Sequence, residues 1–298
     1  MIAMFPQSWL AVLRIALCVA LSAGMSVNAA PAGQDSGAPT GVFAQAQARG
    51  ELIVGIPYLP PEPGAGAKIR SPERLDEAMA RRLGQQLNLP VKLVQVDPTG
   101  RAAALASGRV DLVLADRLAA PPANALVHEQ VLTAAVPGTV AVATGYRARP
   151  KAVIRSDTTL RHWRDVQGKT VCMSTAAFQA QALARQWGAQ VRTYRVPSDA
   201  LVAVREGDCD VGVIDDVTWQ PLMEFPEWKK FSSTLAPEGA HSERVWLLAE
   251  NSATQAWLDS AMQQWRRAKV VPAMIDQWAR DVAFDVYLDQ EVPDCHGG

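Results

Sequence analysis

Short apolar runs alternate along this chain with longer stretches in which apolar residues return every fourth position. These are the patterns of buried strands and of helices with one buried face. Glu51-Leu52-Ile53-Val54-Gly55-Ile56 reads as a first strand, and a Pro-rich loop through Tyr58, Pro60, Pro61 and Pro63 follows. Ser71-Pro72-Glu73 supplies a hydroxyl cap and a first-turn proline, which together open a helix. Its buried face is Leu75, Met79, Leu83 and Leu87. A strand over 91–96, a short helix over 101–106 and a strand over 110–115 complete the unit.

The same order then returns. Leu105-Ala106-Ser107-Gly108-Arg109-Val110-Asp111-Leu112-Val113-Leu114-Ala115-Asp116 is echoed by Val204-Arg205-Glu206-Gly207-Asp208-Cys209-Asp210-Val211-Gly212-Val213-Ile214-Asp215. Each copy reads as a helix end, a glycine stop and an apolar strand ending in Asp. Around the second copy, the pattern predicts a strand over 170–173, a helix over 176–187, a strand over 191–196, a capped helix over 198–206 and a strand over 211–214. Alternating strands and helices predict largely parallel sheets. The duplication predicts two doubly wound α/β lobes, with a crevice between them suited to a small molecule.

Two further runs, Thr139–Thr144 and Val245–Ala249, read as the strands that cross between the lobes and form the hinge. A last helical stretch over 252–282 carries Trp257, Ala261, Trp265, Ile275 and Trp278. It is expected to return to lobe one and to be split by Pro272. The resulting boundaries are 49–140 and 248–285 for lobe one, 141–247 for lobe two and 286–298 for a C-terminal tail.

The N-terminal end changes the picture. Arg14 is the only charge before Asp35, Ile15–Leu21 is a short apolar core, and Val27-Asn28-Ala29 offers small residues for cleavage. That is the layout of a secretory signal peptide over 1–29. Residues 30–48 then read as a flexible lead-in rich in Gly, Ala, Pro and Ser near its start. Losing Arg14 takes the formal charge from −1 to −2. Near-balanced charge argues against nucleic acid and against a polybasic membrane surface. The mature chain is expected to be exported, to a compartment where cysteines pair.

Little in the sequence asks for catalysis. There is no Gly-x-Ser-x-Gly elbow, no phosphate-binding glycine loop with Lys and no His-Glu-x-x-His. His128, His162, His241 and His296 lack metal-ligand spacing. No catalytic residue, metal or cofactor is expected. The candidate chemistry is acidic: Asp116, Asp215 and Asp216 stand at strand ends, while Asp111 and Asp210 are placed to cap turns. Trp219 follows closely and is a candidate wall for a cationic ligand.

At this point the chain resembles the periplasmic solute-binding proteins of ABC importers, in the group that includes polar amino-acid binders. The resemblance runs from about Gly50 to Trp278. It is carried by Leu52-Ile53-Val54-Gly55 with Pro60-Pro61, Asp76-Glu77-Ala78-Met79-Ala80, Ala104 to Asp111, Val166-Gln167-Gly168-Lys169-Thr170-Val171, and Gly207 to Asp215. It implies a type II binding-protein fold in the periplasm, a small-molecule ligand captured by lobe closure, an inner-membrane ABC permease as partner, and a monomer. It also implies a site. Asp215 matches the carboxylate that holds a ligand ammonium group, and Asp76 an acidic position on the first helix. Tyr58 and Asp116 border the same crevice. Two expected features are replaced. Ala123, in Ala120-Pro121-Pro122-Ala123, stands where an Arg pairs with the ligand carboxylate, and Arg117 is the nearby candidate replacement. Ser174-Thr175-Ala176-Ala177 stands where Gly-Thr is expected. The crevice thus keeps acids and loses its carboxylate clamp, which favours an amine or other cation. Cys172 lies in one strand and Cys209 just before another, the two strands being neighbours in a 2-1-3 sheet, and some relatives carry cysteines at these two places, so the resemblance also implies a disulfide between them; Cys295 is left over.

Two other functions fit the same fold. One is an accessory or sensor protein, such as those associated with periplasmic quinoprotein dehydrogenases. The other is an enzyme like a periplasmic cyclohexadienyl dehydratase, which would need a general acid and an anion clamp.

Overall fold

The computed structural model describes residues 41–61, 75–118, 136–236 and 240–288, all within one compact unit. The chain enters through α1 (Val42–Arg49), which ends at Gly50 in the left-handed region at φ 82°. The lead-in expected to be flexible is therefore helical over its last part. The reason is burial: Phe43 and Ala46 are fully covered, and Phe43 meets Trp257 edge-on at 4.8 Å.

The first unit runs β1 (Leu52–Ile56), α2 (Asp76–Leu87), β2 (Val91–Gln95), α3 (Arg101–Ala106) and β3 (Leu112–Leu118). Leu75 has φ 63° and precedes α2, so the helix starts at Asp76. The proposed Ser71-Pro72 cap lies outside the described residues. Strands β4 (Thr139–Ala148) and β5 (Pro150–Val153) follow, with only Arg149 between them. The second unit runs β6 (Thr170–Ser174), α4 (Phe178–Gln186), β7 (Gln190–Tyr194), α5 (Pro197–Glu206), β8 (Val211–Asp215) and α6 (Asp216–Met223). Pro197 takes the first turn of α5, and Val196 rather than Ser198 precedes it, so Ser198 is not the cap. A 3-10 segment (Pro226–Phe231), β9 (Ser242–Ala249), α7 (Ser252–Arg267) and α8 (Val270–Leu288) complete the chain.

Two sheets result, ordered β2-β1-β3-β9-β4 and β5-β8-β6-β7. The pairs β1–β2, β1–β3, β6–β7 and β6–β8 are parallel, as the alternating pattern predicts. Strands β4 and β9 differ from the expected bare hinge: they pair with each other inside sheet one, and β9 also pairs with β3. Both are longer than predicted, because polar residues carry the pairing on past the apolar runs.

The duplicated sentence is also a duplicated hydrogen-bond pattern. Asp111 accepts the Ile53 N–H at 2.7 Å and its own N–H donates to the Ile53 carbonyl. Asp210 accepts the Thr170 N–H at 2.8 Å and donates back in the same way. Each Asp ties the start of a third strand to a first strand. Burial pushes the Asp111 carboxyl up, while the Ile53 N–H and Arg49 pull it down.

One apolar cluster runs from Met79 and Leu83 on α2, through Trp246, Trp265 and Trp278, to Leu201 and Leu222 on α5 and α6. Each such fully buried side chain contributes roughly 1.5–3 kcal/mol. Helix α7 lies on β4. Helix α8, however, packs mainly on α6 and α5, because its apolar face, through Trp278, Val282 and Val286, meets theirs. The helical break falls at Ala268–Lys269, with Lys269 at φ 52°, just before Pro272. Val286 is buried within α8, so the helix takes up the first residues assigned to the tail. Among the described residues, no helix is long and apolar enough to cross a membrane.

Candidate functional site

Parallel strands deliver their C-terminal ends to one side of a sheet, and helix N-termini meet them there. Here those ends carry Asp116 on β3, Ser174 on β6 and Asp215 on β8, with Asp76 opening α2. A carboxylate in a first helical turn also sits favourably with the helix dipole.

The residue that gathers them is Arg244 on β9. It is the direct antiparallel partner of Asp116. Its Nη1 donates to Asp116 Oδ1 at 2.9 Å, and its Nη2 forms an ion pair with Asp76 Oδ1 at 2.6 Å. Arg244 is only 1 % exposed, so the guanidinium depends on these partners; a buried charge is tolerated when paired. The Arg244 backbone is fixed in turn by Thr144, whose Oγ1 donates to its carbonyl at 2.8 Å.

The second clasp joins the sheets. Tyr146 Oη donates to Asp215 Oδ2 at 2.5 Å, a charge-assisted hydrogen bond. Tyr146 lies at the register shift of β4, between Ala143 and Arg147, beside Gly145 at φ 91°. The irregularity re-aims the tyrosine, a common use of a bulge.

Two small adjoining cavities border these groups. One, of about 30 Å³, lies among Tyr146, Ser174, Asp215, Thr218 and Trp278. The other, of about 20 Å³, lies among Asp116, Tyr146, Gln179, Asp215 and Arg244. Three carboxylates, Asp76, Asp116 and Asp215, converge around Arg244 and Tyr146. Ser174 is fixed by its own turn, its Oγ accepting the Ala176 N–H at 3.2 Å.

Other expected residues lie elsewhere. Exposed Arg117 points to the opposite face of β3 and pairs with half-buried Glu243 at 2.7 Å. Trp219 stacks on the chain's own Lys151, whose Nζ is 3.7 Å from the ring centre. Burial pushes the Lys151 ammonium down, with Asp216 pulling it up. Asp216 accepts the Arg149 N–H at 3.0 Å and so fixes the turn between β4 and β5. Tyr58 is half-buried after β1 and borders neither cavity. Ala120 to Ala123 lie outside the described residues. Cys172 and Cys209 are disulfide-bonded. Among the described residues, no group of His, Cys, Asp or Glu is placed to hold a metal ion.

Arg244 and Tyr146 were missed from sequence. Arg244 did leave a signal: period two puts it on one face with Trp246 and Leu248, an inward face on which a charge calls for buried partners.

The family match identifies a periplasmic substrate-binding protein of an ABC transporter. Residues 69–233 match the family described as the phosphonate periplasmic substrate-binding protein of ABC transporters, and the chain belongs to that family. No individually curated protein matches the chain. Among solved structures, a mutant of ArgBP from T. maritima is similar with TM-score 0.53 and 15 % identity, over 80 % of this chain and 99 % of that one. The ancestral cationic amino acid solute-binding protein AncCDT-1 is similar with TM-score 0.52 and 16 % identity, over 80 % and 99 %. The GluR0 ligand-binding core in complex with L-glutamate gives TM-score 0.51 and 15 % identity, over 77 % and 98 %. At these identities the structural likeness concerns the fold, which is the type II two-lobed one.

Proposed function

We propose that this protein captures a small cationic or amine-bearing solute between its two sheets and hands it to an inner-membrane ABC permease. The observation that carries this reading is the convergence of carboxylates: Asp116 and Asp215 border the cavities, and Asp76 shares Arg244 with Asp116. A phosphonate would bring further negative charge to that cluster, whereas an ammonium group lowers its repulsion. Asp215 is the anchor: a ligand ammonium takes the place of the Tyr146 hydroxyl on its carboxylate. Binding then favours the closed arrangement, in which both sheets contribute groups.

The test is thermal unfolding of the mature chain with amines, polyamines, cationic and neutral amino acids, and alkylphosphonates. A ligand at a hundredfold over its Kd adds about 2.7 kcal/mol, a rise of a few degrees. The expected result is a rise with cations that Asp215→Asn abolishes. A rise with phosphonates alone would overturn the reading.

A second reading has its own support. Asp116 and Asp215 already hold partners within the chain, Arg244 and Tyr146, as in an accessory protein whose crevice is closed by its own side chains. A folded protein that no compound stabilises would favour that reading.

A further inference from the structure

The two cavities of the crevice are small, and they meet at one place. Tyr146, Ala177 and Asp215 border both. Their volumes are about 30 and 20 Å³. A single water needs roughly 10–15 Å³ on this measure, so together they take about three to five water-sized groups. Sites for larger ligands hold roughly 300–1,000 Å³. An arginine or a polyamine does not fit, whereas a short amine does.

The charges narrow the choice further. Asp116 and Asp215 are both half-buried, so each carboxylate still faces the crevice. A carboxylate accepts at several lone pairs, so its contact with Arg244 or Tyr146 does not exhaust it. Nothing comparable awaits a negative group. Among the described residues, Arg244 is the only cation bordering either cavity. Its two Nη atoms meet Asp116 and Asp76, and its Nε is buried. It therefore offers no pair of parallel N–H groups, which a bidentate grip on a ligand carboxylate requires. The stretch 119–135, outside the described residues, contains no Lys or Arg. The head group must also donate. When Asp215 gives up the Tyr146 hydroxyl, a donor on the ligand has to replace that hydrogen bond. A primary ammonium carries three N–H donors, and a quaternary one carries none.

We infer that the solute is a short primary alkylamine without a carboxylate, of about three to five non-hydrogen atoms. This rests on the cation reading above and narrows it. The ammonium lies between Asp116 and Asp215, and the alkyl chain lies against Ala177.

Four probes test it, each titrated calorimetrically to millimolar concentration into the mature protein. They are propylamine, L-2-aminobutyrate (propylamine with a carboxylate added), trimethylpropylammonium and arginine. The expected result is one-to-one binding of propylamine, with the other three at least about tenfold weaker. Ala177→Leu, which fills the space both cavities share, is expected to weaken propylamine by at least about tenfold. The comparison of compounds decides the matter even where that variant does not fold. Aminobutyrate, trimethylpropylammonium or arginine binding as tightly as propylamine overturns the inference and leaves the cation reading standing. Propylamine binding that Ala177→Leu leaves unchanged also overturns it, by placing the amine elsewhere. No binding by any cation overturns the inference and the cation reading together.

Discussion

Arg244 is where one side chain decides the most. It bridges Asp116 of β3 and Asp76 of α2 while nearly inaccessible to water. Arg244→Met removes the cation that buried Asp76 and half-buried Asp116 both meet, which is expected to cost about 3–5 kcal/mol in denaturant unfolding. Arg117→Gln, which breaks an exposed pair, is expected to cost less than about 1 kcal/mol. His241 gives a pH signature. Burial, Arg149 and Arg147 hold its imidazole below the ordinary 6.5. As pH falls below about 6.5 the unfolded chain takes up this proton first, so stability is full above that pH and declines below it. His241→Gln is expected to flatten that decline, read as the unfolding midpoint against pH. At this scale the sequence was half legible. Asp116 and Asp215 declared themselves as polar ends of apolar strands. Period two marks Arg244 as an inward charge but does not name its partners, and Tyr146 acts across a sequence distance that no local pattern records.

At the scale of elements the duplicated motif was the reliable guide, because each copy encodes its own turn. The glycine stop and the Asp that reaches back to the first strand are local chemistry. Less legible were the ends that neighbours decide. Helix α2 begins only after Leu75 turns left-handed, and α1 forms because Phe43 finds Trp257. The parallel ladder between β6 and β8 is short, pairing Val171 with Val211 and Cys172 with Gly212. The Cys172–Cys209 disulfide reinforces that seam across a sequence separation of 37 residues. Replacing both with Ala is expected to cost about 3–4 kcal/mol on the chain-entropy scale. Denaturant unfolding, with hydrogen exchange to show whether β6 and β8 bear the loss, checks it.

At the scale of the molecule, two α/β units were legible from the repeat, but the allegiance of the last helix was not. Period four shows that α8 has an apolar face. It does not say that α5 and α6, rather than sheet one, will cover it. The sheet orders carry a further consequence. Strand β9 stands between β3 and β4, which do not pair with each other, yet β9 starts at Ser242, long after β4 has ended at Ala148. A chain made N-terminus first therefore presents two open strand edges while their shared neighbour has yet to be synthesised. The strands of sheet two, by contrast, have all arrived before β9. Open edges of this kind invite pairing with other chains, so the moments before β9 emerges are when this protein most needs a chaperone's cover.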